Sequence, residues 1–245
     1  MSLTQQDITA LVQARHDSPH SVLGLKQLKG DKVLTITCFF PTASLVEIVT
    51  AENQKVIGTL KKVDPAGVFS LKLRRRKLFA YQLRVSTNGQ TPQRINDPFS
   101  FTPTLTPVDI DLLNKGAHLT PYKKLGAHVT QHQNVAGVSF ALWAPNASHV
   151  SVIGDMNNWD GRCYPMQNVM IDHQKTGYWA IFIPHAKNGQ RYKFELKDNK
   201  GELLPLKADP YGVQSQYRPD TASIISDNIN HTWQDNKWLS QRSLR

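Results

Sequence analysis

Two cysteines, Cys38 and Cys163, are all that the 245 residues contain. They are too few and too isolated for a disulfide framework or a thiolate zinc site. No apolar run approaches the roughly 18 residues of a membrane span. Met1 to Val12 carries polar residues and Asp7 where a secretory leader would need a basic start and an apolar stretch. Together these absences point to a soluble protein of the cytoplasm with no membrane partner. Catalytic signatures are missing too: there is no Gly-x-Ser-x-Gly, no Gly-rich phosphate loop and no Cys-x-x-Cys.

Acidic residues are in deficit, 19 against 29 Lys and Arg, for a net charge of +10. The excess is spread over both halves: 15 basic against 9 acidic residues in 1–120, and 14 against 10 after it. The one local cluster, Lys72 to Lys77 (KLRRRK), lacks interleaved aromatics that could stack bases. A short basic run in a chain otherwise mixed in sign reads as a solvated hairpin tip, so nucleic acid is not the favoured partner.

Apart from a short amphipathic helix expected over Thr4 to Arg15, with Ile8, Leu11 and Val12 on one face, long helical periods are also scarce. Short alternating runs take their place: Val33–Phe40, Leu45–Thr50, Val56–Leu60, Val68–Leu73 and Phe79–Val85. Strands of about five or six residues at intervals of about ten indicate an antiparallel sandwich.

The second half repeats the first. Leu23-Gly24 recurs as Leu125-Gly126, an offset of 102. Pro41 and the strand Leu45–Val49 recur at 104, as Pro145 and His149–Ile153. Gly67–Leu71 recurs at 110 as Gly177–Ile181, Phe79–Leu83 at 111 as Gln190–Phe194, and Asp97-Pro98-Phe99 at 112 as Asp209-Pro210-Tyr211. The growing offset places short insertions in loops of the second copy. The expected fold is therefore all-β: two tandem immunoglobulin-like β-sandwich domains with a short N-terminal helix and an ordered linker. The boundaries expected are 1–15 for the helix, 16–100 for the first sandwich, 101–124 for the linker, 125–225 for the second sandwich and 226–245 for a tail. Val108 to Gly116 in the linker could make one or two helical turns, and Trp233 and Trp238 suggest that the tail packs against something.

Convergent catalytic groups are hard to find. His16 and His20 are four apart, but Pro19 forbids the continuous helix that would align them on a metal. His128 and His132 fall in a strand-and-turn context that suits a surface role better. Asp155 and Asp160 could approach across a turn as a glycosidic acid–base pair, though aspartates in turns are more often structural. No catalytic, metal or cofactor site is expected.

Binding chemistry is better represented. In Gly154-Asp-Met-Asn-Asn-Trp-Asp-Gly161 a tryptophan, Trp159, sits in a polar turn beside Asn157 and Asn158. An indole face can stack on the apolar face of a pyranose while amides bond its hydroxyls; equally, Trp159 could pack under its own loop. Lys193, in Arg191-Tyr-Lys-Phe-Glu195, alternates outward if Tyr192 and Phe194 face the core.

The run Val138 to Asp160, with Leu125-Gly-Ala-His128, Tyr192-Lys-Phe-Glu195, Lys207-Ala-Asp-Pro-Tyr211, Arg218-Pro219 and Thr221-Ala-Ser223, closely resembles the starch- and glycogen-binding module of family 48. The first copy, opening His16-Asp-Ser-Pro-His-Ser-Val-Leu-Gly24, resembles the extra N-terminal domain of the long-form 1,4-α-glucan branching enzymes. The resemblance implies a role in glycogen biosynthesis, α-glucan as partner, and Trp159, Asn157, Asn158 and Lys193 as sugar contacts. It assigns Trp143, Ala144 and Pro145 to strand structure and domain packing. The family's catalytic (β/α)8 barrel is absent, so the expected protein is a monomeric, inactive N-terminal portion whose other partner is that barrel. The alternative is a freestanding glucan-binding or scaffolding protein. Relatives that bind glycogen strongly carry a further tryptophan where only Leu203 or Leu204 stands here, which implies weak binding.

Overall fold

The computed structural model describes residues 3–27, 33–75, 77–227 and 233–242. In the first half, helix α1 (Gln5–Val12) precedes seven strands: β1 (Gly24–Gln27), β2 (Leu34–Phe39), β3 (Ala43–Thr50), β4 (Val56–Asp64), β5 (Val68–Leu73), β6 (Tyr81–Thr87) and β7 (Gln93–Ile95). They form one curled antiparallel sheet in the order β1-β2-β5-β4-β3-β6-β7. Strand β4 joins the two faces, pairing with β3 up to Leu60 and with β5 from Lys61 onward. Leu34, Ile36, Val46, Ile48, Phe69 and Leu83 fill the space between the faces.

The second half carries α2 (Pro107–Asn114), β8 (Gly126–His132), β9 (Val135–Trp143), β10 (His149–Gly154), β11 (Gln167–Ile171), β12 (Gln174–Ile183), β13 (Arg191–Lys197), β14 (Gln214–Ser215) and β15 (Ser223–Ile224). Two four-stranded sheets result, β8-β9-β12-β11 and β10-β13-β15-β14. A last helix, α3 (Asn236–Arg242), bears Trp238, which is exposed, as is Trp233 before it. The sandwich expected from the strand spacing is thus present twice. No helix among the described residues is long and apolar enough to cross a membrane.

The sequence offsets reappear as strand register. Phe39 pairs with Val68 and Trp143 with Tyr178; Ile48 pairs with Leu83 and Val152 with Phe194. Each copy also buries the same polar pair. The Tyr81 hydroxyl donates to Asp97 at 2.6 Å, and the Tyr192 hydroxyl donates to Asp209 at 2.6 Å. The other carboxylate oxygen accepts the backbone N–H two residues on, from Phe99 at 3.0 Å and Tyr211 at 2.8 Å. These bonds satisfy a buried carboxylate that would otherwise be costly. The recurring Leu-Gly has a physical cause as well. Gly24 (φ +85°) and Gly126 (φ +100°) lie against this turn, and an added Cβ would come within 2.9 Å of the Phe99 carbonyl or the Tyr211 Cβ.

The duplication begins earlier than the strands suggested. Residues 101–124, read above as a linker, contain a second copy of the N-terminal helix at the offset of 102. Thr4 and Asp7 form a capping box on α1, and Thr106 and Asp109 form the same box on α2. His16 approaches Asp7 at 3.3 Å and His118 approaches Asp109 at 3.5 Å. The 3-10 turns Pro19–Ser21 and Pro121–Lys123 correspond too. The polar, proline-rich composition of this stretch hid the repeat, because only the cap and the helix's inner face are retained.

The basic run is not the tip of a hairpin. Strands β5 and β6 are separated in the sheet by β4 and β3, so they are not hairpin partners. Within the run Arg75 stacks on Phe79 at 4.7 Å, while Arg76 lies outside the described residues.

Helix α1 joins the two halves. Ile8 packs on Phe39 and Val68 of its own sheet, whereas Leu11, Leu23 and Phe99 enter the core of the second sandwich. The buried Lys197 on β13 donates to the carbonyls of Gln13 at 2.9 Å and Ala14 at 2.6 Å, capping the end of α1. Lys197→Met is expected to lower stability by about 2 kcal/mol, the upper range for a cation at a helix C-terminus. Urea unfolding checks this; an unchanged midpoint would show that the cap contributes nothing.

Candidate functional site

Strand β10 ends at Gly154, and the chain then makes a 3-10 turn over Asp155–Asn157. Asn158 (φ 53°) and Trp159 (φ 62°) follow in the left-handed region, which asparagine tolerates better than most residues. Asn157 makes this turn possible. It is 8% exposed, its Oδ1 accepts from Gly154 N at 2.9 Å, and its Nδ2 donates to the carbonyls of Val152 and Asp160, both at 2.9 Å. The whole amide is spent inside the loop. The Trp159 backbone N–H donates to Gly154 O at 3.0 Å, its side chain bonds the Asp155 carboxylate, and the residue stays 37% exposed.

Two arginines fix the loop's ends. Asp155 accepts from Arg191 Nη2 at 2.9 Å, Nε at 3.1 Å and the backbone N at 2.9 Å. These bonds to Arg191 hold the Asp155 carboxyl below its usual range. Asp160 takes Arg162 Nη2 at 2.7 Å and Nε at 2.9 Å. Burial pushes the Asp160 carboxyl up, but the Arg162 bonds and charge outweigh it and hold the group low. Both aspartates are therefore paired, ionised anchors rather than an acid–base couple, which needs one carboxyl held protonated. Arg162 in turn lies over the Phe39 ring at 5.1 Å, tying the loop to the first half.

Lys193 sits on β13 opposite Ile153, at the end of the sheet from which the Trp159 loop departs. It alternates with the buried Tyr192 and Phe194 as the pattern implied, and its Nζ donates to Thr221 Oγ1 at 2.7 Å. An ammonium has three donors, so two remain for a ligand. The four expected residues are thus separated: Trp159 and Lys193 mark one end of the β10–β13 pair, Asn157 is internal, and Asn158 lines a cleft between the two halves. Leu203, one of the two leucines expected in place of a further tryptophan, is exposed and bridges Lys197 at the far end of β13.

The histidines at helical spacing have other duties. His16 pairs with Asp7, and His20 bonds the Pro165 carbonyl at 2.8 Å. His128 bonds the Leu125 carbonyl and His132 the Thr102 carbonyl, each at 2.9 Å. Among the described residues no three His, Cys, Asp or Glu side chains gather in a metal-binding group.

A feature the sequence reading missed lies on the second sandwich. Leu113, His118, Pro121, Trp143, Tyr178 and Tyr211 line an open groove of about 640 Å³. Its counterparts in the first copy, Leu11, His16, Pro19, Phe39, Val68 and Phe99, lie where the first half packs on the second. Trp143 is 57% exposed and Phe39 only 4%. The repeat offsets, applied to the interface residues, would have located this groove.

The fold and its loops define a class: two immunoglobulin-like sandwiches of one repeat, the second built as a carbohydrate-binding module. Residues 124–212 belong to the family described as carbohydrate-binding module 48 (isoamylase N-terminal domain). Residues 4–99 belong to the family described as alpha-1,4-glucan branching enzyme GlgB, N-terminal domain. The chain thus carries the N-terminal domains of the GlgB family. Among its relatives, the 1,4-alpha-glucan branching enzyme GlgB of Rhodospirillum rubrum is 42% identical over 97% of this chain and 32% of its own length. That of Rubrobacter xylanophilus is 40% identical over 98% of this chain and 32% of its own. The chain spans about a third of the length of these curated relatives.

Proposed function

We propose that this chain is the non-catalytic, α-glucan-binding N-terminal part of a 1,4-α-glucan branching enzyme acting in cytoplasmic glycogen synthesis. In the intact enzyme an α-1,4-glucan chain is cleaved and transferred to an O6 hydroxyl. The observation that carries the binding role is an exposed indole, Trp159, on a rigid polar loop within the residues matched to a carbohydrate-binding module. Trp159 stacks on a glucosyl ring and Lys193 donates to its hydroxyls. Asn158 reads the ligand from the cleft side, while Asn157 positions the loop without touching sugar. The groove at Trp143 and Tyr211 receives the catalytic barrel, as the equivalent surface of the first copy receives the second sandwich.

Trp159→Ala tests the glucan reading. Losing an aromatic partner typically costs about 0.5–1.5 kcal/mol beyond area burial, roughly 2- to 13-fold in affinity. Maltoheptaose binding, starting near a millimolar dissociation constant by weak-platform reasoning, should weaken several-fold while the melting temperature barely moves. A mutant that melts far earlier, or binds as well as the parent, would make Trp159 structural.

A further inference from the structure

The loop that presents Trp159 outward has a second side, and it faces a cleft between the two halves of the molecule. This cavity of about 360 Å³ is walled on one side by β6, β7 and the turn between them, and on the other by Met156, Asn158 and their neighbours. Its size falls among small-molecule sites, roughly 300–1,000 Å³. We propose that the cleft is a second carbohydrate subsite, in which the first repeat supplies one wall and takes a neutral glucan segment. The proposal rests on the glucan reading above and extends it to a surface outside the carbohydrate-binding module itself.

The chemistry of the walls selects the ligand. The two carboxylates that reach the cleft are already engaged, Asp97 by Tyr81 and Phe99 N, and Asp160 by Arg162. His185 bonds the Tyr164 hydroxyl at 3.1 Å. Burial holds His185 at about 4, so it is neutral at physiological pH. Among the described residues that line the cleft, no unpaired charge is left to recognise a phosphate, a carboxylate or an amine. At the rim stand Gln90, Thr91, Gln93 and Asn158, all exposed. No hydrogen bond within the described residues engages the side-chain amides of Gln90, Gln93 or Asn158. The wall behind them is apolar, with Phe40, Pro41 and Met156. Free amides around an apolar face match a pyranose, which offers hydroxyls at its edge and C–H groups on its faces. Asn158 and Trp159 are adjacent on one loop, so a single chain could occupy both subsites.

The test is calorimetric titration of the 245-residue chain with maltoheptaose, comparing the parent with Gln90→Ala/Gln93→Ala, Asn158→Gly and Trp159→Ala. The glutamines are exposed, and glycine accepts the left-handed conformation of Asn158, so all variants should melt near the parent. Two lost hydrogen bonds predict at least about fivefold weaker binding for the double variant, and Asn158→Gly should follow in the same direction. If only Trp159→Ala weakens binding, the cleft is not a subsite and the glucan reading stands. If the cleft variants weaken it and Trp159→Ala does not, the cleft is the site and the platform is not. If the parent binds no maltoheptaose, both proposals fall.

Discussion

Lowering the pH from 7 to 5 is expected to remove several kcal/mol of folding stability, because three desolvated histidines, one buried and two half-buried, must stay neutral in the native state. Burial holds His20, His149 and His185 at about 4 against an ordinary 6.5. Between those values the unfolded chain binds more protons than the folded one, so stability falls as the pH drops. From pH 7 to pH 5 each histidine contributes about 2 kcal/mol of that loss. Their positions explain why they are not solvated. His20 spans the halves, with Nε2 on the Pro165 carbonyl and its ring edge-on to Phe99 at 5.0 Å. His149 lies beside Ser151 on β10, near the cationic Lys197, and His185 lies against Tyr164. Three carboxyls act in the opposite sense. Burial raises those of Asp97, Glu195 and Asp209, so the folded state takes up protons there at a higher pH than the unfolded chain and offsets part of the loss. Asp109, held at about 2 despite the opposing effect of burial by its bonds to Thr106 and Lys124, contributes stability that is lost only below 3.8. Urea midpoints at pH 7, 6 and 5 should fall steadily, and His20→Gln should flatten the profile. A midpoint constant across that range would show that the three rings are not held neutral by the fold.

The parts of this molecule that were legible in the sequence are those where backbone geometry constrains residue type. Alternating strands recur because each has one face on a core; Leu-Gly at the start of β1 and β8, and Asp-Pro-aromatic after β7 and after β13, recur because they meet in the same buried turn. The Trp159 loop could be read as a binding element, but not how its residues divide. Asn157 and Asn158 look alike as letters. One is internal because the 3-10 turn aims its amide at Val152 and Asp160, and the other is outward because it sits in the left-handed region. The second helix was partly legible, as helical turns without their equivalence to the first. Its outer residues have diverged, and the cap at Thr106 and Asp109 is a signature only beside its twin at Thr4 and Asp7. Least legible was the union of the two halves. It depends on which copy's surface is covered, and the repeat makes both surfaces resemble one another.

That ambiguity can be turned into a measurement at one pair of equivalent positions. Phe99 and Tyr211 follow the same Asp-Pro turn, and each donates its backbone N–H to the aspartate. Phe99 is 6% exposed and joins the core of the second sandwich with Leu11 and Leu23, whereas Tyr211 is 37% exposed in the open groove. Truncating a buried phenylalanine typically costs about 3–5 kcal/mol, since packing and transfer energy are both lost. Phe99→Ala should reach that range, because it also removes the ring against which His20 packs. Tyr211→Ala should cost less than about 1 kcal/mol, since a half-exposed ring has less surface to lose. Alanine keeps the Cβ at both sites, so the backbone bond to Asp97 or Asp209 is retained and only the ring is tested. Denaturant unfolding of the two variants should therefore separate by at least about 2 kcal/mol. Equal losses would mean that the first copy is not seated on the second as described. A further distinction comes from the longer relatives: if the groove receives the catalytic domain, truncation at the Tyr211 position should become destabilising once that domain is attached.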